Sequence, residues 1–185
     1  MDHFKFFETS YFQEIERKQR IENGLSTPIG AIAAAFGVLG YYFTHFQFGA
    51  AKPSYAYAIE IVFLIATLAA FCLLGVGAYW CVRLAISTTY EYLPGAETLR
   101  TYHRDLRNWY FLQDKKQGVE KADQDFHEYL IGAMAFCSQR NWQQNNARSE
   151  ILNRAKLFTA YALASVAIAA VGYYLGFWYN PVLLK

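Results

Sequence analysis

Four histidines and three cysteines are the residues of this chain best suited to metal or nucleophile chemistry, yet their spacing supports neither. His3, His45, His103 and His127 form no HxxxH or HExxH pair and no Cys/His cluster of metal-ligand spacing, which leaves them as interfacial or surface residues. Cys72 and Cys81 lie in a charge-free stretch, Cys137 lies in a polar one, and no CxxC occurs, so a disulfide framework is not expected. There is no G-x-S-x-G, P-loop or G-x-G-x-x-G. Gly75-Val76-Gly77 reads as a packing notch, and Ser10, Ser26 and Ser149 read as surface or helix-capping residues. The expectation is a non-enzymatic protein without cofactor or metal.

Two other sets of residues have chemical potential of a different kind. Glu60 and Arg83 bound a 22-residue stretch, Ile61 to Val82, that holds no Asp, Glu, Lys or Arg. Both can snorkel to an interface; alternatively, Glu60 repeated around a ring of subunits would guard a pore mouth. Asn141, Gln144, Asn145 and Arg148 form a polar row on a segment with helical spacing. Such a row is either a solvated face or a buried polar layer that fixes register, and beside a membrane it could line a gate or vestibule.

The elements that position these residues follow from the charge distribution. Charged residues are also missing from Asn23 to Ala51 and from Leu157 to Leu184, gaps of 29 and 28 residues, and a bilayer needs about 20 apolar residues per helix. Three spans, near 29–48, 58–82 and 157–178, are therefore expected in an all-α integral membrane protein with a helical cytoplasmic region. Twenty-two residues with nine charges precede the first gap, so it is not read as a cleaved signal. The organisation expected is an amphipathic cytoplasmic helix at 1–24, a transmembrane hairpin at 25–88, a cytoplasmic helical region at 89–156 and a third span with a short tail at 157–185.

Within the first helix, Phe4, Phe7, Tyr11 and Ile15 share a face that either lies among lipid headgroups or packs on the rest of the protein. Ser26-Thr27-Pro28 reads as a cap followed by a first-turn proline. Leu93-Pro94-Gly95 feeds an amphipathic helix over 95–112, and QDKKQG at 113–118 is a linker. From Val119 to Trp178 there is no proline, which permits one nearly continuous helix of about 90 Å at 1.5 Å per residue. Phe126, Leu130, Ala133, Met134 and Cys137 give that helix an apolar stripe. Small residues recur at four-residue spacing: Gly30 and Ala34, and Ala33 and Gly37, in the first span, and Ala160, Ala164, Gly172 and Gly176 in the third. Bare faces of this kind let helix backbones approach closely, within one chain or between copies.

Three phrases, ERKQRIENGLSTPIGAI at 16–32, TTYEYLPGAETLRTYHRDL at 88–106 and NWQQNNARSEILNRAKLF at 141–158, together resemble small bacterial membrane effectors of antiphage systems, of the retron-associated or SLATT type. The resemblance implies an inner-membrane protein with a cytoplasmic N-terminus that forms homo-oligomers and permeabilises the membrane when infection is sensed. It also implies a cytoplasmic protein or ribonucleoprotein partner, without direct sequence-specific nucleic-acid binding. The third span departs from the simplest two-span plan of that class. A membrane-anchored assembly subunit recruiting a soluble partner through 83–156 is the alternative. A small transporter fits less well, because no span is broken by proline and none carries a charge at its centre.

Basic residues set the expected orientation: four precede the first span, eleven lie in 83–156, and Lys52 and Lys185 stand alone on the other side. A cysteine introduced at Lys115 should therefore be shielded from membrane-impermeant thiol reagents applied to the outside of intact cells. Labelling of that cysteine from outside would overturn the assigned orientation.

Overall fold

The computed structural model describes residues 3–46, 54–86 and 89–178, with the side chains of 54–56 and 177–178 excepted. The expected ends of the first span at 47–48, the loop residues Lys52 and Pro53, the junction at 87–88 and the tail with Lys185 lie outside the described residues. Five helices and no strand are present among the described residues: α1 (His3–Gly24), α2 (Ser26–His45), α3 (Ser54–Ile86), α4 (Ala96–Gln113) and α5 (Gly118–Trp178). The protein is all-α, and three stretches, in α1–α2, α3 and α5, are long and apolar enough to cross a membrane. The chain forms two compact units, Met1–Arg20 with Thr88–Ala147 and Ile21–Ser87 with Arg148–Lys185, so α1 and α5 each contribute to both.

In the first unit the aromatic face of α1 packs on α5. Tyr11, Met134 and Cys137 are buried together, with Phe4, Phe7, Ile15, Leu93 and Leu130 against them. The α1 stripe thus meets the α5 stripe inside the protein, where each removes the other from water. Helices α4 and α5 form a hairpin through a tight turn. Asp114 Oδ1 accepts from the amides of Lys116 at 2.9 Å and Gln117 at 3.3 Å, and a Cβ at Gly118 would come within 2.7 Å of the Tyr110 carbonyl oxygen. Only glycine admits that approach.

In the second unit α2, α3 and the later part of α5 share a core. Ile32, Ala35, Leu39 and Phe46 meet Phe63, Ala66, Ala70, Leu74 and Cys81, together with Ala155, Ala162 and Ala169. The Phe46 and Phe63 rings stack at 4.1 Å, and Tyr42 stacks on Tyr173 at 4.7 Å. Ser26 does not cap α2. Leu25 keeps helical angles of φ −75° and ψ −28°, and its carbonyl accepts from the Ile29 amide. The chain passes from α1 to α2 with its amides supplied by the preceding turn, and the Ser26 hydroxyl donates to the Asn23 carbonyl at 2.8 Å instead.

The small residues separate into two groups. Gly30 and Gly37 have nothing within 4 Å of an added Cβ, and Ala34 is exposed, so this face of α2 points away from the core. On α5, Ala160 and Ala164 are exposed as well, whereas Gly172 is buried with the Phe63 Cβ at 3.2 Å and its Cα at 3.4 Å from an added Cβ. A four-residue step overshoots the helical turn by about 40°, which carries Gly172 about 120° around from Ala160. The packed row of α5 is instead Ala155, Thr159, Ala162, Ala169 and Gly172.

Gly172→Leu should accordingly lower unfolding stability in detergent by about 1–3 kcal/mol, because Phe63 presents backbone as well as side chain to the new group. Gly37→Leu should leave the melting temperature unchanged. Equal effects of the two substitutions would contradict the packing described here.

Candidate functional site: an asparagine clasp on a non-helical strap

Between the helical residues of α3 and α4 the chain runs without helix from Thr89 to Gly95. A segment without helix leaves one amide and one carbonyl per residue to be paired elsewhere, and burial requires each to find a partner. Helix α5 supplies them from Asn141. The Glu91 amide donates to Asn141 Oδ1 at 3.0 Å, and Asn141 Nδ2 donates back to the Glu91 carbonyl at 2.9 Å. A carboxamide carries one acceptor and two donors in a plane, so it can satisfy both backbone groups of a single residue as a neighbouring strand would.

One turn along, Asn145 gathers a second set. Its Oδ1 accepts from the Tyr90 hydroxyl at 2.6 Å, while Nδ2 donates to the Glu14 carbonyl and to Glu14 Oε2, both at 2.8 Å. Asn141 and Asn145 are both wholly buried, at 0% exposure. The polar row is therefore an internal layer rather than a solvated face. Four further contacts complete it: Arg17 Nη2 donates to Asn146 Oδ1 at 2.7 Å, Lys18 Nζ donates to the Tyr92 hydroxyl at 2.7 Å, the same ammonium lies 4.8 Å over the Tyr90 ring, and the Leu93 amide donates to the Tyr11 hydroxyl at 3.4 Å. The strap is thus bound from one side by α1 and from the other by α5. Burial, and secondarily Glu91, push the Cys137 thiol above its usual range, so this cysteine stays protonated and weakly nucleophilic at neutral pH.

Arg148, the next member of the row, belongs to the second unit. It is 5% exposed, and its Nη1 donates to Glu22 Oε1 at 3.2 Å, which pairs a charge that would otherwise be costly to bury. Glu60 is half-buried near the start of α3, also in the second unit. Gln144 is half-buried.

A second cluster was invisible to motif reading. His103 Nε2 lies 2.7 Å from Asp123 Oδ1, and Arg107 grips both oxygens of the same carboxylate through Nε at 3.2 Å and Nη2 at 3.3 Å. Tyr110 donates to Asp125, and His103 stacks on Phe126 at 4.5 Å. The hydrogen bond from His103, followed by that from Arg107, holds Asp123 below the usual carboxylate range. A depressed pKa means that the contact contributes at neutral pH and is lost as the pH falls through that lowered value. His103 and Arg107 stand four apart on α4, a spacing the sequence displays, but their partner lies beyond the turn and becomes adjacent only once the hairpin is known. Among the described residues no group of three or more His, Cys, Asp or Glu is arranged to hold a metal.

Comparison of the chain with protein-family models, with curated proteins and with solved structures finds no match. The functional reading therefore rests on the geometry above.

Replacing Asn141 with Leu keeps its branched outline but strands the amide and carbonyl of Glu91, each worth about 1–3 kcal/mol when left buried and unpaired. The expected result is a loss of about 3 kcal/mol with unchanged membrane insertion. Asn146→Leu, which removes only the contact to Arg17, should cost less than about 1 kcal/mol. Urea unfolding of the two variants checks the ranking, and a reversed order would contradict the clasp.

Proposed function

We propose that the protein is a non-enzymatic membrane effector of a bacterial antiphage defence system, which oligomerises in the inner membrane and depolarises it when triggered. The observation that carries this reading is the location of the clasp: α5, whose Asn141 and Asn145 hold the strap and α1, is also the helix that supplies a membrane-length apolar stretch. A trigger that frees the strap leaves several buried polar groups of α5 without partners, and those groups then drive α5 toward a new arrangement. Exchange of contacts worth a few kcal/mol is enough to shift a two-state population decisively. The excess of basic residues in 83–156 supports a cytoplasmic side for the clasp, where a protein or ribonucleoprotein partner would hold the resting state. The exposed Gly30, Ala34 and Gly37 face of α2, and Ala160 and Ala164 of α5, offer close-approach surfaces to further copies.

One observation favours the anchor reading. At the end of α4, Trp109, Phe111 and Leu112 are exposed, Leu112 by 86%, next to Lys115 and Lys116. A tip of this kind suits capture of a soluble partner.

Induced expression with a potential-sensitive dye separates the two. The effector reading expects growth arrest with loss of membrane potential, and Asn145→Ala with Arg148→Ala changing its extent while membrane insertion persists. Sustained growth and an intact potential on full induction, with the protein inserted, would favour the anchor and overturn the effector.

A further inference from the structure

We propose that Trp80, Arg83 and Arg154 form a seat for the headgroup of an anionic phospholipid, independently of the effector reading. Arg83 is the first charge after the charge-free stretch of α3, and Arg154 stands three residues before the charge-free stretch of α5. Both therefore lie where a span meets the headgroups. Their guanidiniums converge on one ring: the Arg83 carbon is 5.1 Å and the Arg154 carbon 5.0 Å from the Trp80 ring. Two positive groups are thereby held no more than about 10 Å apart, within a Debye length, at the edge of a low-dielectric layer.

Their compensation within the protein is incomplete. Arg154 pairs with Glu150 one turn before it, an ion pair half exposed to solvent, while no carboxylate among the described residues pairs with Arg83. The cluster is thus short of one negative charge. A membrane supplies that charge as lipid phosphate, whose oxygens match the donor fork of a guanidinium. Trp80 is half-buried against the core, so it fixes both side chains instead of leaving them to roam in solvent. Val76, two turns into the span from Arg83 on α3, and Leu157, one turn from Arg154 on α5, are exposed apolar groups, placed to meet the acyl chains below a headgroup. Surface phosphate could in principle come from solution, but only a lipid also covers these residues.

The test is lipid binding to the purified full chain in neutral detergent, read by native mass spectrometry, with phosphatidylglycerol and phosphatidylcholine of identical acyl chains. The wild type should prefer phosphatidylglycerol about tenfold, and the preference should fall to about twofold or less in Arg83→Gln/Arg154→Gln, in step with a weight of about one surface cation each. Arg83→Lys/Arg154→Lys should retain an intermediate preference, since charge remains and the fork is lost. Inorganic phosphate at millimolar concentration should not displace the lipid. Equal binding of the two lipids by the wild type, or a preference untouched in the glutamine variant, would overturn the proposal and leave the two arginines as clamps on Trp80. Complete displacement by inorganic phosphate would overturn the lipid as the source of the anion. If the glutamine variant fails to fold, the wild-type comparison of the two lipids decides alone.

Discussion

The first unit depends on a reciprocal pair of hydrogen bonds between the Asn141 carboxamide and the backbone of Glu91. The non-helical residues before α4 do not pair their own amide and carbonyl groups as a helix does, and a helical neighbour has no backbone groups to lend them. A buried side-chain amide resolves both difficulties at one residue. Asn145 then adds the Tyr90 hydroxyl and α1 to the same network. Because each asparagine is wholly buried, the cost of breaking any one contact is the desolvation of the group left behind, and the members of the network support one another. Apolar packing around Tyr11, Met134 and Cys137 holds α1 to α5, but contact of that kind would tolerate sliding. The asparagines specify which residue faces which.

The second unit is governed by a different constraint. Apolar burial gives no preference for one helix neighbour over lipid, so association rests on close fit and on small residues at the points of contact. Gly172 against Phe63 and Gly77 against Thr159 and Ile32 are such points. The single buried charge in the row, Arg148, is paired with Glu22, and the Thr159 hydroxyl is returned to the Ala155 carbonyl at 2.8 Å. These two polar groups each have a partner at hand, whereas the buried Thr67 hydroxyl of α3 accepts and donates no hydrogen bond among the described residues.

Much of the architecture was legible because charge is absent or periodic over long runs. Gaps of 22 to 29 residues without charge locate the membrane-length stretches, and the lack of proline from Val119 to Trp178 anticipates α5. The aromatic row of α1 and the apolar stripe of α5 were both visible, although not that each would cover the other. The asparagine row was noticed for its residue types; its partners were not, since Tyr90 and Glu91 lie 50 or more residues away in a segment with no periodicity to mark it. A four-residue count puts Gly172 on one row with Ala160 and Ala164, whereas the drift of 3.6 residues per turn brings Gly172 into the core and leaves the two alanines exposed. His103, Arg107 and Asp123 stayed hidden for want of the hairpin that joins them.

Hydrogen exchange of the Glu91 amide tests the central claim most directly. That amide has no helical or strand partner, so any protection it shows must come from Asn141 Oδ1. The clasp predicts slow exchange in the wild type and near-random-coil exchange in Asn141→Leu, with the amides of α5 itself remaining protected in both. Fast exchange at Glu91 in the wild type, or equal protection in the variant, would contradict it.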